Sequence, residues 1–143
     1  MPNVIYRGPA ERQPQTLNKP VTGALLPGTA VLIGGTAFTQ ATAPTAGRIG
    51  LLANRNFYAQ GDTDAYVSGE TGVAYRLEPE QEYRWAMAAA TYTQGQELTI
   101  AASGRLAAAA TGNVVVAFFD QAGGAVAAGA LADVVISRPY VKP

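Results

Sequence analysis

The sequence contains no cysteine and no histidine. Their absence removes thiol nucleophiles, imidazole bases, disulfides and the nitrogen and sulfur ligands of zinc and copper sites, and with them much of enzyme chemistry. Charge is scarce as well: Asp, Glu, Lys and Arg form 14% of the 143 residues, ten basic against ten acidic, so the formal charge is zero. No net field is available to attract nucleic acid or an anionic membrane. Long hydrophobic runs are also missing. Apolar residues reach 48%, too many for a disordered chain, while 16 Gly and 9 Pro interrupt the stretches that could span a bilayer. The opening residues MPNVIYRGPA lack the charged start and apolar core of a secretion signal, which predicts a cytoplasmic origin. A soluble, turn-rich domain is expected, long enough to form one core without staples.

Four of the nine prolines, Pro2, Pro9, Pro14 and Pro20, fall in the first twenty residues beside Arg7, Arg12, Lys19 and a single acid, Glu11. Such spacing excludes a helix and favours extended or polyproline II backbone. Residues 1–20 therefore read as an extended, proline-rich N-terminal arm, and 21–143 as a compact β domain; a loose terminus is the competing reading of the arm. On the arm, Ile5, Tyr6, Arg7, Arg12 and Lys19 are anchors suited to a partner's groove or sheet edge.

From Val21 onward the pattern is strand and turn. Pro27-Gly28 reads as a type II turn between VTGALL and TAVLI, which Gly34-Gly35 ends. Further strands are expected over about 48–53, 97–101, 113–119 and 133–137, with 61–72 a loop holding a short extended piece at Tyr66 and Val67. Val73, Tyr75 and Leu77 alternate with polar or small residues, and the same parity continues through Tyr83, Trp85 and Met87. Two strands and a turn fit this pattern, but Pro79, the early glutamates and the AMAAA run also suit a helix over 79–90. NVVVAFF is apolar on both faces and suits a central strand. Alanine, frequent in the second half, permits close approach within a tight barrel or between subunits. The expected architecture is mainly β, a small β-sandwich or barrel.

Several groupings invite a chemical reading. Asp62, Asp64 and Glu70 offer alternating oxygen ligands, but no further acid stands where a calcium loop needs one, so a polar turn is expected and no metal. Glu78, Glu80 and Glu82 resemble a carboxylate pair, yet alternation alone puts them together on a wet face. Ser68, Ser103 and Ser137 lie in no nucleophile elbow, and Lys19 and Lys142 follow no phosphate loop. No catalytic residue and no cofactor is expected. Residues 1–55 hold five basic residues and one acid, and 56–82 hold six acids and one base, a basic front half and an acidic middle that could meet across an interface between copies. Tyr75, Tyr83 and Trp85 could form an aromatic sugar platform, or belong to the core.

A proline-containing arm followed by GALLPGTAVLI, the GRIGLLANR strand, the segment TYTQGQELTIAASGRL and VVVAFF with its Ala/Gly-rich continuation resembles the capsid decoration, or cement, proteins of tailed bacteriophages. The similarity runs over about residues 1–137. It implies a β-tulip-like barrel without enzymatic activity that binds the outer surface of an assembled head, commonly as a homotrimer. The partner would be the major capsid protein, contacted through residues 1–20, with apolar faces of the β domain joining the copies. The protein would be made in the host cytoplasm and reside in the virion, with no nucleic-acid or membrane partner. The runner-up is a carbohydrate- or receptor-binding β module using the Tyr75, Tyr83 and Trp85 face; a carboxylate-and-metal hydrolase comes third.

Overall fold

The structure, a computed structural model, describes residues 5–44, 47–55 and 58–143. The protein is mainly β, with curled antiparallel sheets that form a half-barrel. The strands are β1 (Tyr6–Gly8), β2 (Thr16–Pro20), β3 (Ala30–Ile33), β4 (Phe38–Gln40), β5 (Ile49–Leu52), β6 (Thr71–Arg76), β7 (Glu82–Ala86), β8 (Ala90–Tyr92), β9 (Glu97–Ile100), β10 (Leu106–Ala108), β11 (Val114–Phe119), β12 (Gly124–Val126) and β13 (Leu131–Val141). A six-stranded sheet runs β1-β7-β13-β11-β9-β10, a five-stranded sheet β2-β6-β5-β3-β4, and β12 pairs with β8 as a separate ribbon.

Side-chain alternation explains how the two large sheets meet. Tyr83 and Trp85 of β7, Ala132, Val134 and Ile136 of β13, Ala117 and Phe119 of β11 and Leu98 and Ile100 of β9 all enter one core. From the other sheet, Ala30, Leu51 and Tyr75 face the same core. Trp85 is fully buried, and its Nε1 donates to the Gly104 carbonyl at 3.0 Å. Gly104 has φ +65°, and a Cβ there would lie 2.7 Å from the Ala30 carbonyl oxygen, so the indole's acceptor occupies a place only glycine fits.

The alternate residues of the five-stranded sheet face the opposite way, into a second core of Val31, Leu52, Ala74 and Phe38. Loops rather than a sheet close this face. Val21, Leu25 and Tyr66 cover it, tied by backbone bonds from Tyr66 N to Leu25 O (2.8 Å) and Gly69 N to Val21 O (2.7 Å).

Several expectations change. The stretch over 79–90 holds no helix: a turn at Pro79–Glu80 leads into strand β7, where Tyr83 and Trp85 face the core and β7 pairs with β13 in register from Leu131↔Ala86 to Val135↔Glu82. Tertiary pairing overrides helix propensity there. The expected proline-rich arm is not seen as a separate element over 5–20. Tyr6–Gly8 pairs with β7, Thr16–Pro20 pairs with β6, Ile5 and Tyr6 are buried, and the Tyr6 hydroxyl donates to the Arg12 carbonyl at 2.8 Å. Its prolines fit because edge strands and turns tolerate a missing donor. Residues 1–4 of the expected arm lie outside the described residues. VTGALL is no strand, since Val21 makes one isolated bridge to Phe38, and Tyr66-Val67 belongs to the covering loop.

Candidate functional site

The acidic groupings come apart in three dimensions. Asp62 pairs with Arg84 at 3.6 Å, the Asp64 carboxylate accepts from Gly61 N at 3.0 Å, and Glu70 accepts from Arg55 at 3.2 Å. Among the described residues no three acids gather where a metal ion could be held. Glu78 pairs with Arg12 at 3.3 Å, Glu80 occupies a turn with φ +71°, and Glu82 lies on the outer face of the six-stranded sheet beside Asp120. The hydrogen bond shared with Asp120, with burial, raises the Glu82 pKa. The serines are tied into turns: Ser68 Oγ accepts from Gly23 N, and Ser137 Oγ donates to the Arg138 carbonyl.

The basic front half and acidic middle meet at two places within one chain, Arg12–Glu78 and Arg55–Glu70. The expected anchors divide in the same way. Ile5 and Tyr6 are core, Arg7 lies 3.7 Å from Asp133, and Lys19 donates to the Gly34 and Gly35 carbonyls at 2.6 and 3.0 Å. Arg12 alone combines high exposure with a place on a cleft. The proposed sugar platform is internal. Tyr75 and Tyr83 pack with Tyr6 at ring separations of 5.2 to 6.2 Å, and Tyr83 and Trp85 are fully buried. Burial pushes the Tyr83 hydroxyl far above its ordinary pKa, and it donates to Gln81 Oε1 at 2.8 Å.

The cleft is made by an irregularity in β13. Ala117 pairs with Ile136, but Val115 pairs with Tyr140, so Ser137, Arg138 and Pro139 stand opposite Val116 alone. A bulge of this kind bends the strand away from its neighbour and re-aims side chains. Pro139, which has no donor to lose, suits the place. Across from it, the Pro79 turn is held by Glu80 N to Ile136 O and Ile136 N to Gln81 O, both 2.9 Å.

Between these walls a slot of about 250 Å³ opens between the sheets, lined by Ile49 and Leu77 on one side and by Trp85, Ile100, Val116 and Ile136 on the other. Pro79, Ile136, Ser137 and Pro139 are shared with a shallower groove of about 790 Å³ that carries Arg12, Glu80, Phe118, Arg138 and Tyr140. Arg12 is engaged by Glu78, whereas Arg138 makes no ion pair among the described residues. Tyr140 is steadied by donating its hydroxyl to Glu97, which also lies 3.3 Å from Lys142; together they hold the Glu97 carboxyl below its ordinary pKa. An apolar slot with an aromatic and two guanidinium groups at its rim can take an apolar side chain from a partner and orient the chain around it. Sequence reading missed Pro79, Arg138 and Pro139; a proline inside an otherwise strand-like run was the available signal.

No protein-family model matches this chain, and a search of curated proteins finds no match either.

Proposed function

We propose that this protein is a non-enzymatic decoration, or cement, protein of a tailed-bacteriophage head, which binds the outer surface of the assembled shell and clamps neighbouring capsomers. The cleft at Pro79 and Pro139 carries this reading. It has the anatomy of a protein-docking site, an apolar centre with a polar, Arg-bearing rim, on a scaffold whose walls are strands of the main core. The segments GALLPGTAVLI and VVVAFF, which carry the resemblance, contribute β3 and β11 to that scaffold.

In this account an apolar side chain of the major capsid protein fills the slot, and Arg12 and Arg138 contact polar or acidic groups beside it. Copies are made in the host cytoplasm and assemble as trimers on the shell. A clamp that binds only the expanded lattice stabilises it by linkage, and many copies each add a modest increment.

The test is co-sedimentation with expanded, emptied heads of a tailed phage. Saturable binding is expected, weakened roughly tenfold or more, about 1.4 kcal/mol, by Arg138→Glu, which removes a guanidinium with no ion pair among the described residues. Failure of the wild-type protein to bind across matched heads would refute the reading. Binding indifferent to Arg138→Glu and to a slot-filling Ser137→Trp would remove the cleft from it.

A further inference from the structure

A second pocket lies at the β2–β6 edge, where the loop carrying Arg55 and Tyr58 meets it, away from the cleft. Arg55 follows β5, and its guanidinium carbon stands 4.6 Å from the ring centre of Tyr66 and 4.9 Å from that of Tyr58. Tyr66 is buried and donates its hydroxyl to the Ala53 carbonyl at 2.6 Å, so it forms a fixed base. Glu70 Oε2, 3.2 Å from Arg55 Nη1, and Gln60 Oε1, 3.4 Å from its Nε, hold the guanidinium against both rings. The outer ring is therefore braced from beneath while 68% of Tyr58 remains exposed. An exposed tyrosine held in one orientation costs little entropy to use again.

Beside it is a pocket of about 310 Å³, lined by Asn18, Arg55, Tyr58, Glu70, Thr71 and Val73. Register places its far wall: Asn18 of β2 pairs with Val73 of β6, and Thr71 lies two residues along on the same face. The side-chain amide of Asn18 and the hydroxyl of Thr71 make no hydrogen bond among the described residues. The Glu70 carboxylate accepts from Val67 N and from Arg55, which keeps it ionised with acceptor capacity left over.

This set selects a ligand class. The only full charges, Arg55 and Glu70, neutralise each other, so neither an anion nor a cation is favoured. What remains is one braced aromatic ring together with an amide, a hydroxyl and carboxylate lone pairs. A hexopyranose matches both halves: its C–H face covers an aromatic ring, and its hydroxyls both donate and accept. The volume suits one such ring, and few convergent polar groups in a small pocket are what fixes a ligand's orientation.

We propose that the pocket between Tyr58 and the β2–β6 edge binds a neutral saccharide, one hexopyranose unit resting on the Tyr58 ring with its hydroxyls bonded to Asn18, Thr71 and Glu70. The inference is independent of shell binding and uses a different surface.

The test titrates the full chain with the methyl glycosides of glucose, galactose, mannose and N-acetylglucosamine, followed by amide and side-chain NMR shifts. At least one glycoside is expected to bind saturably with a dissociation constant on the order of 1–10 mM, shifting the Asn18 side-chain amide and the Thr71 and Val73 backbone signals. Tyr58→Ala, at an exposed position, should weaken binding roughly tenfold or more while Tyr58→Phe retains it. Absence of saturable shifts with all four glycosides, shifts confined to other surfaces, or binding unchanged by Tyr58→Ala would each overturn the proposal.

Discussion

The five-stranded sheet is covered on both faces, by another sheet on one side and by loops on the other, and the two coverings rest on different physics. Against the six-stranded sheet, alternate side chains of β3, β5 and β6 meet an opposing row of Tyr83, Trp85, Val134 and Phe119, and many contacts share the load. On the back, the covering residues Val21, Leu25 and Tyr66 are held by a few identifiable ties: the Tyr66 hydroxyl, two backbone bonds and the Arg55–Glu70 pair. A sheet-on-sheet core should open only with the whole domain, whereas a layer held by few ties can open by itself. The docking cleft is built on the stiff side, whereas the saccharide pocket joins a loop tyrosine to the edge made by β2 and β6.

The largest effect should come from Trp85→Ala, which empties the centre of the main core and orphans the Gly104 carbonyl. A loss of about 3–5 kcal/mol in urea unfolding is expected, in one cooperative transition. Gly104→Ala places a Cβ against Ala30 backbone atoms at φ +65° and should cost about 2–3 kcal/mol by the same measurement. In the loop layer, Tyr66→Phe leaves the buried Ala53 carbonyl without this partner and should cost about 1–2 kcal/mol. It should also speed proteolytic cleavage within 58–70 far more than cleavage in β11 or β13, since the layer opens first.

The smallest effects, pH-dependent ones, should have opposite signs on the two sides. In Glu70, the Val67 N–H and then Arg55 hold the carboxyl below its ordinary 4.5, so its contribution is present above that pH and is lost as pH falls below it. Glu70→Gln should lower Tm at pH 7, and the difference should fade on acidification below about pH 4.5. In Glu82 the carboxyl is raised above 4.5, by the hydrogen bond with Asp120 and by burial, so its favourable contribution is complete below 4.5 and lost as pH rises through the folded value. Glu82→Gln should therefore raise Tm at pH 7, with the gain shrinking toward pH 4.5. Thermal melts of both variants across this range check the two signs.

The same division sets how much could be read from sequence. Sheet-on-sheet packing writes itself as alternation, so Tyr83 and Trp85 shared one face in the sequence, which the fold turns into the core although a platform was the other reading, and VVVAFF stands between two neighbours in its sheet. The Pro27-Gly28 turn was legible for a local reason, the positive φ that Gly28 adopts at +85°. The loop layer leaves no such pattern. Arg55, Tyr58, Tyr66 and Glu70 come together through tertiary contacts at irregular spacing, so Glu70 read as part of an acidic loop when its partner is a guanidinium. The N-terminal prolines ruled out helix correctly, but a propensity against helix cannot tell an arm from edge strands that a sheet absorbs. The cleft depends on three residues of β13 facing one of β11, a register fact that exists only once both strands are paired.

The most direct test of the docking account is hydrogen exchange of the protein alone and bound to expanded, emptied heads. The account predicts slowed exchange on the shell across 78–81 and 136–141, the two walls of the cleft, with the loop layer over 58–70 unchanged. Protection confined to the loop layer, with none at the cleft, would contradict it.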